Sequence, residues 1–289
     1  MATSPVLIII CCLIVIFNAF LIFIYIKSKF NSFPYYYNIF FCVVISLNNI
    51  IRLIHRNTED EITTMCKIQA VFLTLFDKLI LAFVCSYSII NYLGMCRLEF
   101  YRDYEKIIYI VLGIFSLLIS IISTVIFISE GYSHHSEYCY ADTSNNVKKI
   151  ADSIITSILF VVSLLTLIIT IINVIKLKNK MNESNSPDRS SNITYHIFRF
   201  SFDICINIIL FIYILLIINK QLPFENFWKD LIYIILCLII EIFYTVNSGF
   251  IKEAKRIITC QKINITEEND EKTMVLEEDF ADAASGKKV

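Results

Sequence analysis

Ionisable groups set inside long apolar runs are the residues of this chain with the clearest capacity for chemistry. Asp77, Lys78 and Glu241 are such groups. A charge at that position is costly in hydrocarbon, so it faces protein or water and is by default a functional candidate. On helices turning 100° per residue, Asp77, Ser88 and Asn91 fall within about a 60° sector, and Glu241, Thr245 and Ser248 do the same. Counting at about 1.5 Å per residue puts Asp77 and Glu241 at similar depths, roughly 16–20 Å below the outer ends of their helices. Lys78, about 100° round from Asp77, is then expected to neutralise Glu241. With Gln69 these three are ligand-pocket candidates forming a polar floor. The alternative is a structural ion pair that fixes helix packing. Arg199 and Asp203 form a second constellation at i,i+4, with Asn207 one turn on, and could act as a lock released when helices move. Asn38, Asn49 and Arg52 share one side of a helix, where interhelical hydrogen bonding accounts for them.

No catalytic or cofactor signature accompanies these residues. The four histidines, His55, His134, His135 and His196, lack metal-ligand spacing, and there is no glycine-rich phosphate loop, nucleophile elbow or zinc-protease helix. Neither an enzyme, a bound cofactor nor a metal is expected. A retinal chromophore would need a lysine deep in the last apolar run, whereas Lys229 sits at its mouth.

The elements that must position these residues are membrane spans. With 57% hydrophobic residues, 18% charged and a mean hydropathy of +0.67, the composition excludes an ordinary soluble domain and offers no nucleic-acid surface. The apolar runs reach the roughly 20 residues a helix needs to cross a bilayer. Helices are expected near 5–27, 35–56, 65–96, 106–129, 148–177, 194–219 and 227–250, giving an all-α, integral membrane seven-helix bundle over residues 1–261. After Gly249, Phe250, Ile251, Ala254, Ile257 and Ile258 recur at helical spacing opposite Lys252, Glu253, Lys255 and Arg256, which predicts an interfacial helix over 250–260. Cys260 beside it is a candidate for lipidation. Residues 262–289 read as a disordered acidic tail.

Orientation follows from the short loops. Lys27 and Lys29, then Arg97, Arg102 and Lys106, then Lys176, Lys178, Lys180 and Arg189, then Lys252, Lys255 and Arg256 fall on one side. By the positive-inside rule that side is cytosolic, so the N-terminus is outside and the tail inside. The sequons at Asn182, Asn192 and Asn264 are then cytosolic and unglycosylated. Of the ten cysteines, this topology leaves Cys66 and Cys139 alone on the outer side, where a disulfide can form and would draw the second outer loop across the mouth of the third helix.

Seven helices, a cysteine opening the third, another in the second outer loop and a basic amphipathic helix after the seventh resemble the G-protein-coupled receptors. Cys66-Lys-Ile-Gln69-Ala-Val-Phe, Ile90-Asn91-Tyr92-Leu93, Tyr104-Glu105-Lys106 and Tyr138-Cys139-Tyr140 look most like the cyclic-AMP-receptor-like and glucose-receptor-like branch. Asn91-Tyr92 stands where rhodopsin-like members carry an acidic-Arg-aromatic triplet, and Tyr138 and Tyr140 flank the loop cysteine where tryptophans are common. The resemblance implies a multi-pass plasma-membrane receptor for an extracellular ligand, with a heterotrimeric G protein as its cytosolic partner. Asn91, Tyr92, Arg199 and Asp203 are then switch candidates, and Arg97, Arg102, Lys176, Lys178 and Lys180 are candidates for the G-protein contact. The rival expectation is a transporter or channel in which Asp77, Lys78 and Glu241 line an ion or proton path.

Overall fold

The computed structural model describes residues 5–27, 33–54, 64–128, 132–134, 139–141, 146–183, 200–213 and 226–245, with 251, 254, 255 and 257 beyond them. Its elements are α1 (Pro5–Lys27), α2 (Phe33–Leu53), α3 (Thr64–Cys96), α4 (Leu98–Ile128), β1 (Tyr132–His134), β2 (Cys139–Ala141), α5 (Asn146–Glu183), α6 (Phe200–Tyr213) and α7 (Asn226–Thr245). Five helices, α1 to α5, are long and apolar enough to cross a bilayer by length and composition, and within α6 and α7 the described apolar stretches Phe200–Tyr213 and Leu231–Ile242 are shorter.

Helix α1 shows why these sequences make helices with no polar face. Leu7, Cys11, Ile14, Asn18, Leu21, Ile24 and Tyr25 recur every three or four residues and are buried. Leu13, Ile16, Phe20, Phe23 and Ile26 lie between them and are exposed, yet they are just as apolar. Such a helix has one face for protein and one for hydrocarbon, and its exposed residues need no water. Helix α4 repeats the pattern with Ile107, Ile110, Val111, Ile114, Leu118, Ile121 and Val125 outward. Its inner stripe is Ser116, Ser120, Ser123 and Thr124, all buried, and small residues of this kind let helices approach closely.

Helix directions can be read from the side-chain bonds. Lys78 to Asp152, Ser88 to Ser163 and Asn173 to Cys96 join α3 and α5 at separations of 74, 75 and 77 residues, so the two helices run parallel. Between α2 and α3 the separation shrinks from 49 at Tyr87–Asn38 through 29 at Asn48–Asp77 to 15 at Gln69–Ile54, so these run antiparallel. The shortest separation lies toward their connection. Helix α3 is the central element: from Leu79 to Ser88 every residue is buried. Around it Tyr37 packs edge-on against Phe83, Tyr87 and Tyr109, with centroids 4.8, 5.2 and 5.3 Å apart.

Two local features differ from the all-helical expectation. The α4 helix starts at Leu98, ahead of the expected 106, and Tyr104 (φ −119°, ψ 16°) interrupts it, so a short turn precedes the span. A two-stranded antiparallel hairpin links α4 to α5, with Tyr132 opposite Ala141, Ser133 opposite Tyr140 and His134 opposite Cys139. Strands of three residues are too short for an alternating pattern to register in sequence. Strand β2 packs against α3. Beyond α7, Ala254 and Ile257 pack against Leu21, Ile24 and Tyr25 near the end of α1.

Candidate functional site

The two ends of α3, marked by Cys66 and Cys96, carry two polar tiers of different chemistry. The tier nearer Cys66 is ionic. Arg52 at the end of α2 reaches Asp77 of α3, with Nη2 3.2 Å from Oδ1 and 3.5 Å from Oδ2. Asn48 Nδ2, one turn back on α2, donates to the same Oδ1 at 2.9 Å. From α7, the Tyr233 hydroxyl meets Asp77, and its ring lies 5.2 Å under the Arg52 guanidinium. Lys78 turns the other way, to Asp152 of α5, with Nζ 2.5 Å from Oδ1 and 2.6 Å from Oδ2. Ser123 of α4 donates to Asp152 Oδ1 at 3.0 Å. Five helices thus meet in two adjacent ion pairs.

The expected pairing of Lys78 with Glu241 is therefore replaced by pairing with Asp152. The 100° turn from Asp77 to Lys78 sends one side chain toward α2 and α7 and the next toward α4 and α5. The depth match also differs. Tyr233 is the α7 residue at the Asp77 level, and Glu241 lies eight residues further, about 12 Å along the axis. Counting residues from the helix ends failed because the starts of α3 and α7 are not level. Glu241 is fully buried, with the side chains of Cys42 from α2 and Asn18 from α1 against its carboxyl. It belongs to the α1–α2–α7 seam.

The tier nearer Cys96 is neutral over most of its length. Ser88 of α3 and Ser163 of α5 share a hydrogen bond of 2.6 Å. Ser163 Oγ also reaches Asn207 Oδ1 of α6 at 3.1 Å. Asn207 Nδ2 in turn donates to the Asp203 carboxylate at 2.9 Å. One relay of hydroxyl and amide groups therefore joins α3, α5 and α6. Asp203 is buried, and Arg199, its expected partner, lies outside the described residues. Nearby, Tyr25, Asn38 and Tyr87 link α1, α2 and α3 through hydrogen bonds from Asn38 to Tyr25 and from Tyr87 to Asn38. Asn91 and Tyr92 are half-buried on the last turns of α3.

The remaining candidates fall into place by element. Gln69 is buried, and its amide donates to the carbonyls of Ile51 and Ile54 at 2.9 and 3.1 Å, closing the end of α2. Arg97 and Arg102 are exposed around the α3–α4 connection, and Lys176 is exposed on α5 close to Asn173, which touches Cys96. The side chains of Lys178 and Lys180, and all of Cys260, lie outside the described residues. Cys66 is buried and disulfide-bonded. The side chain of Cys139 is outside the described residues, though its strand packs on α3. Asp152, with the supporting Asn48, Ser123 and Tyr233, was passed over by sequence reasoning, and Arg52 was assigned only to interhelical hydrogen bonding. Arg52 and Asp152 each lie within a turn or two of a helix end, where the helix dipole favours a cation at the C-terminus and a carboxylate at the N-terminus. No protein-family model and no curated protein matches the chain.

Proposed function

We propose that this protein is a serpentine cell-surface receptor that crosses the plasma membrane seven times and passes an extracellular signal to a cytosolic heterotrimeric G protein. The observation that carries this reading is the contrast between the tiers. Two ion pairs and the polar side chains beside them bring five helices together at one level, while α5 and α6 are held to α3 at the other by the Ser88–Ser163–Asn207 relay. Hydrogen bonds of that kind are worth about 0.6 kcal/mol on average inside a membrane protein, so α5 and α6 can exchange between two arrangements at modest cost. A receptor needs such a two-state element facing its partner. Exposed Arg97, Arg102 and Lys176 surround the same end of the bundle and supply a basic rim for an acidic protein surface. In this reading Cys66 is bridged to Cys139, and the hairpin roofs the ionic tier.

The test is nucleotide exchange. The full chain in lipid nanodiscs is mixed with purified heterotrimers of each G-protein class, and exchange is followed with and without Ser163→Ala and Asn207→Ala. Exchange on one class, altered by these substitutions, supports the receptor. No exchange on any class, together with proton or ion flux through liposomes that Asp77→Asn abolishes, would establish the transporter instead. Peptide mapping without reduction checks the Cys66–Cys139 bridge separately.

A further inference from the structure

The two ion pairs differ in which partner is accessible. Arg52 and Asp152 have side chains only 1% exposed, whereas Asp77 is 21% exposed and Lys78 13%. On consecutive residues turned toward different neighbours, the tier thus carries a partly accessible carboxylate and a partly accessible ammonium, each braced by its buried counterion. Charged atoms avoid hydrocarbon, so accessible parts of this kind are expected to face protein or water rather than lipid. Hydrogen-bonding capacity is left over next to the Asp77 carboxylate and one turn along α5 from Asp152, the counterion of Lys78. Asn48 is 3% exposed and its Nδ2 is committed to Asp77, which fixes its Oδ1 next to that carboxylate with no donor among the described residues. Thr156, fully buried one turn beyond Asp152 on the same face of α5, has a hydroxyl without a partner among the described residues. A buried polar atom left unsatisfied is destabilising, so such atoms point to a water or a ligand that completes them.

We propose that the ionic tier binds a small zwitterion carrying one ammonium and one carboxylate, such as a free amino acid. The ammonium is held by Asp77 and the Asn48 carbonyl oxygen, two acceptors for a group with three donors. The carboxylate is held by Lys78, with the Thr156 hydroxyl as a further donor. A singly charged molecule contacts only half of the site, and the other accessible charge keeps its buried counterion alone. This rests on the receptor reading only in taking the tier to be a ligand site, and binding can be measured without any G protein.

The experiment is a thermal-shift titration of the full chain in nanodiscs with the free amino acids and γ-aminobutyrate, each paired with its N-acetyl and its methyl-ester derivative. The expected result is that one or more zwitterions raise the unfolding temperature, while both singly charged derivatives of the same compound lose the shift. Asn48→Leu is expected to weaken the zwitterion about ten- to a hundredfold, as expected for a lost hydrogen bond to a charged group. No shift from any zwitterion with folded protein, or equal shifts from the N-acetyl and ester derivatives, overturns the proposal. Zwitterion binding without nucleotide exchange on any heterotrimer would leave the site standing and remove the receptor.

Discussion

The ionic tier and the neutral tier lie on the same helix, roughly 15 Å apart along α3 by its rise per residue, yet they hold their neighbours in opposite ways. At Asp77 and Lys78 each carboxylate has a cationic partner and at least one neutral donor, and five helices contribute. At Ser88 the bonds pass through hydroxyls and one amide, and the helices joined are α3, α5 and α6. Removing one partner of a buried ion pair strands a charge, whereas removing a serine hydroxyl leaves groups that find other partners. The ionic tier is therefore the fixed point of the bundle and the neutral tier its adjustable joint.

The largest test of this contrast is Asp77→Ala, which leaves Arg52 buried without its counterion and is expected to cost about 3–5 kcal/mol in thermal or denaturant unfolding in detergent. The double substitution Arg52→Met with Asp77→Leu is expected to recover most of that loss, because two apolar groups replace two paired charges. If the double variant is as unstable as Asp77→Ala, the pair is not what anchors this tier. Lys78→Met comes next, at about 3 kcal/mol, since Asp152 keeps the Ser123 hydroxyl when its cation is gone. Gln69→Leu, which uncovers the carbonyls of Ile51 and Ile54 at the end of α2, is expected to cost about 1–2 kcal/mol by the same measurement. The smallest change in stability belongs to Ser163→Ala, about 0.6 kcal/mol. Its main effect is expected in basal nucleotide exchange. A loss for Ser163→Ala as large as that for Lys78→Met would erase the distinction between the tiers.

What could be read ahead of the structure depended on what each residue's signal was. Apolar runs of about 20 residues are their own evidence, because a helix satisfies its backbone within itself, and so the long helices were legible at once. Asp77, Lys78 and Glu241 were legible as candidates because intramembrane charge is costly wherever it points. Their partners were not. Helical periodicity gives the direction of Asp77 relative to Lys78, but no local rule tells which neighbouring helix stands in that direction. Arg52 and Asp152 lie near helix ends, where charge is ordinary, and so nothing local marked either as half of an ion pair. The hairpin between α4 and α5 was hidden for a related reason, since three-residue strands have no periodicity to detect.

By itself the sequence determined the long apolar helices and the candidacy of Asp77, Lys78 and Glu241, since each depends only on local composition and on the cost of polar groups in hydrocarbon. Only the tertiary structure decided that Lys78 belongs to Asp152, that Glu241 sits some 12 Å away from the Asp77 level in another seam, and that α3 runs parallel to α5 with the relay between them. Pairing is a property of how helices are offset and rotated against one another. That offset comes from side-chain packing over whole interfaces, which no single residue records.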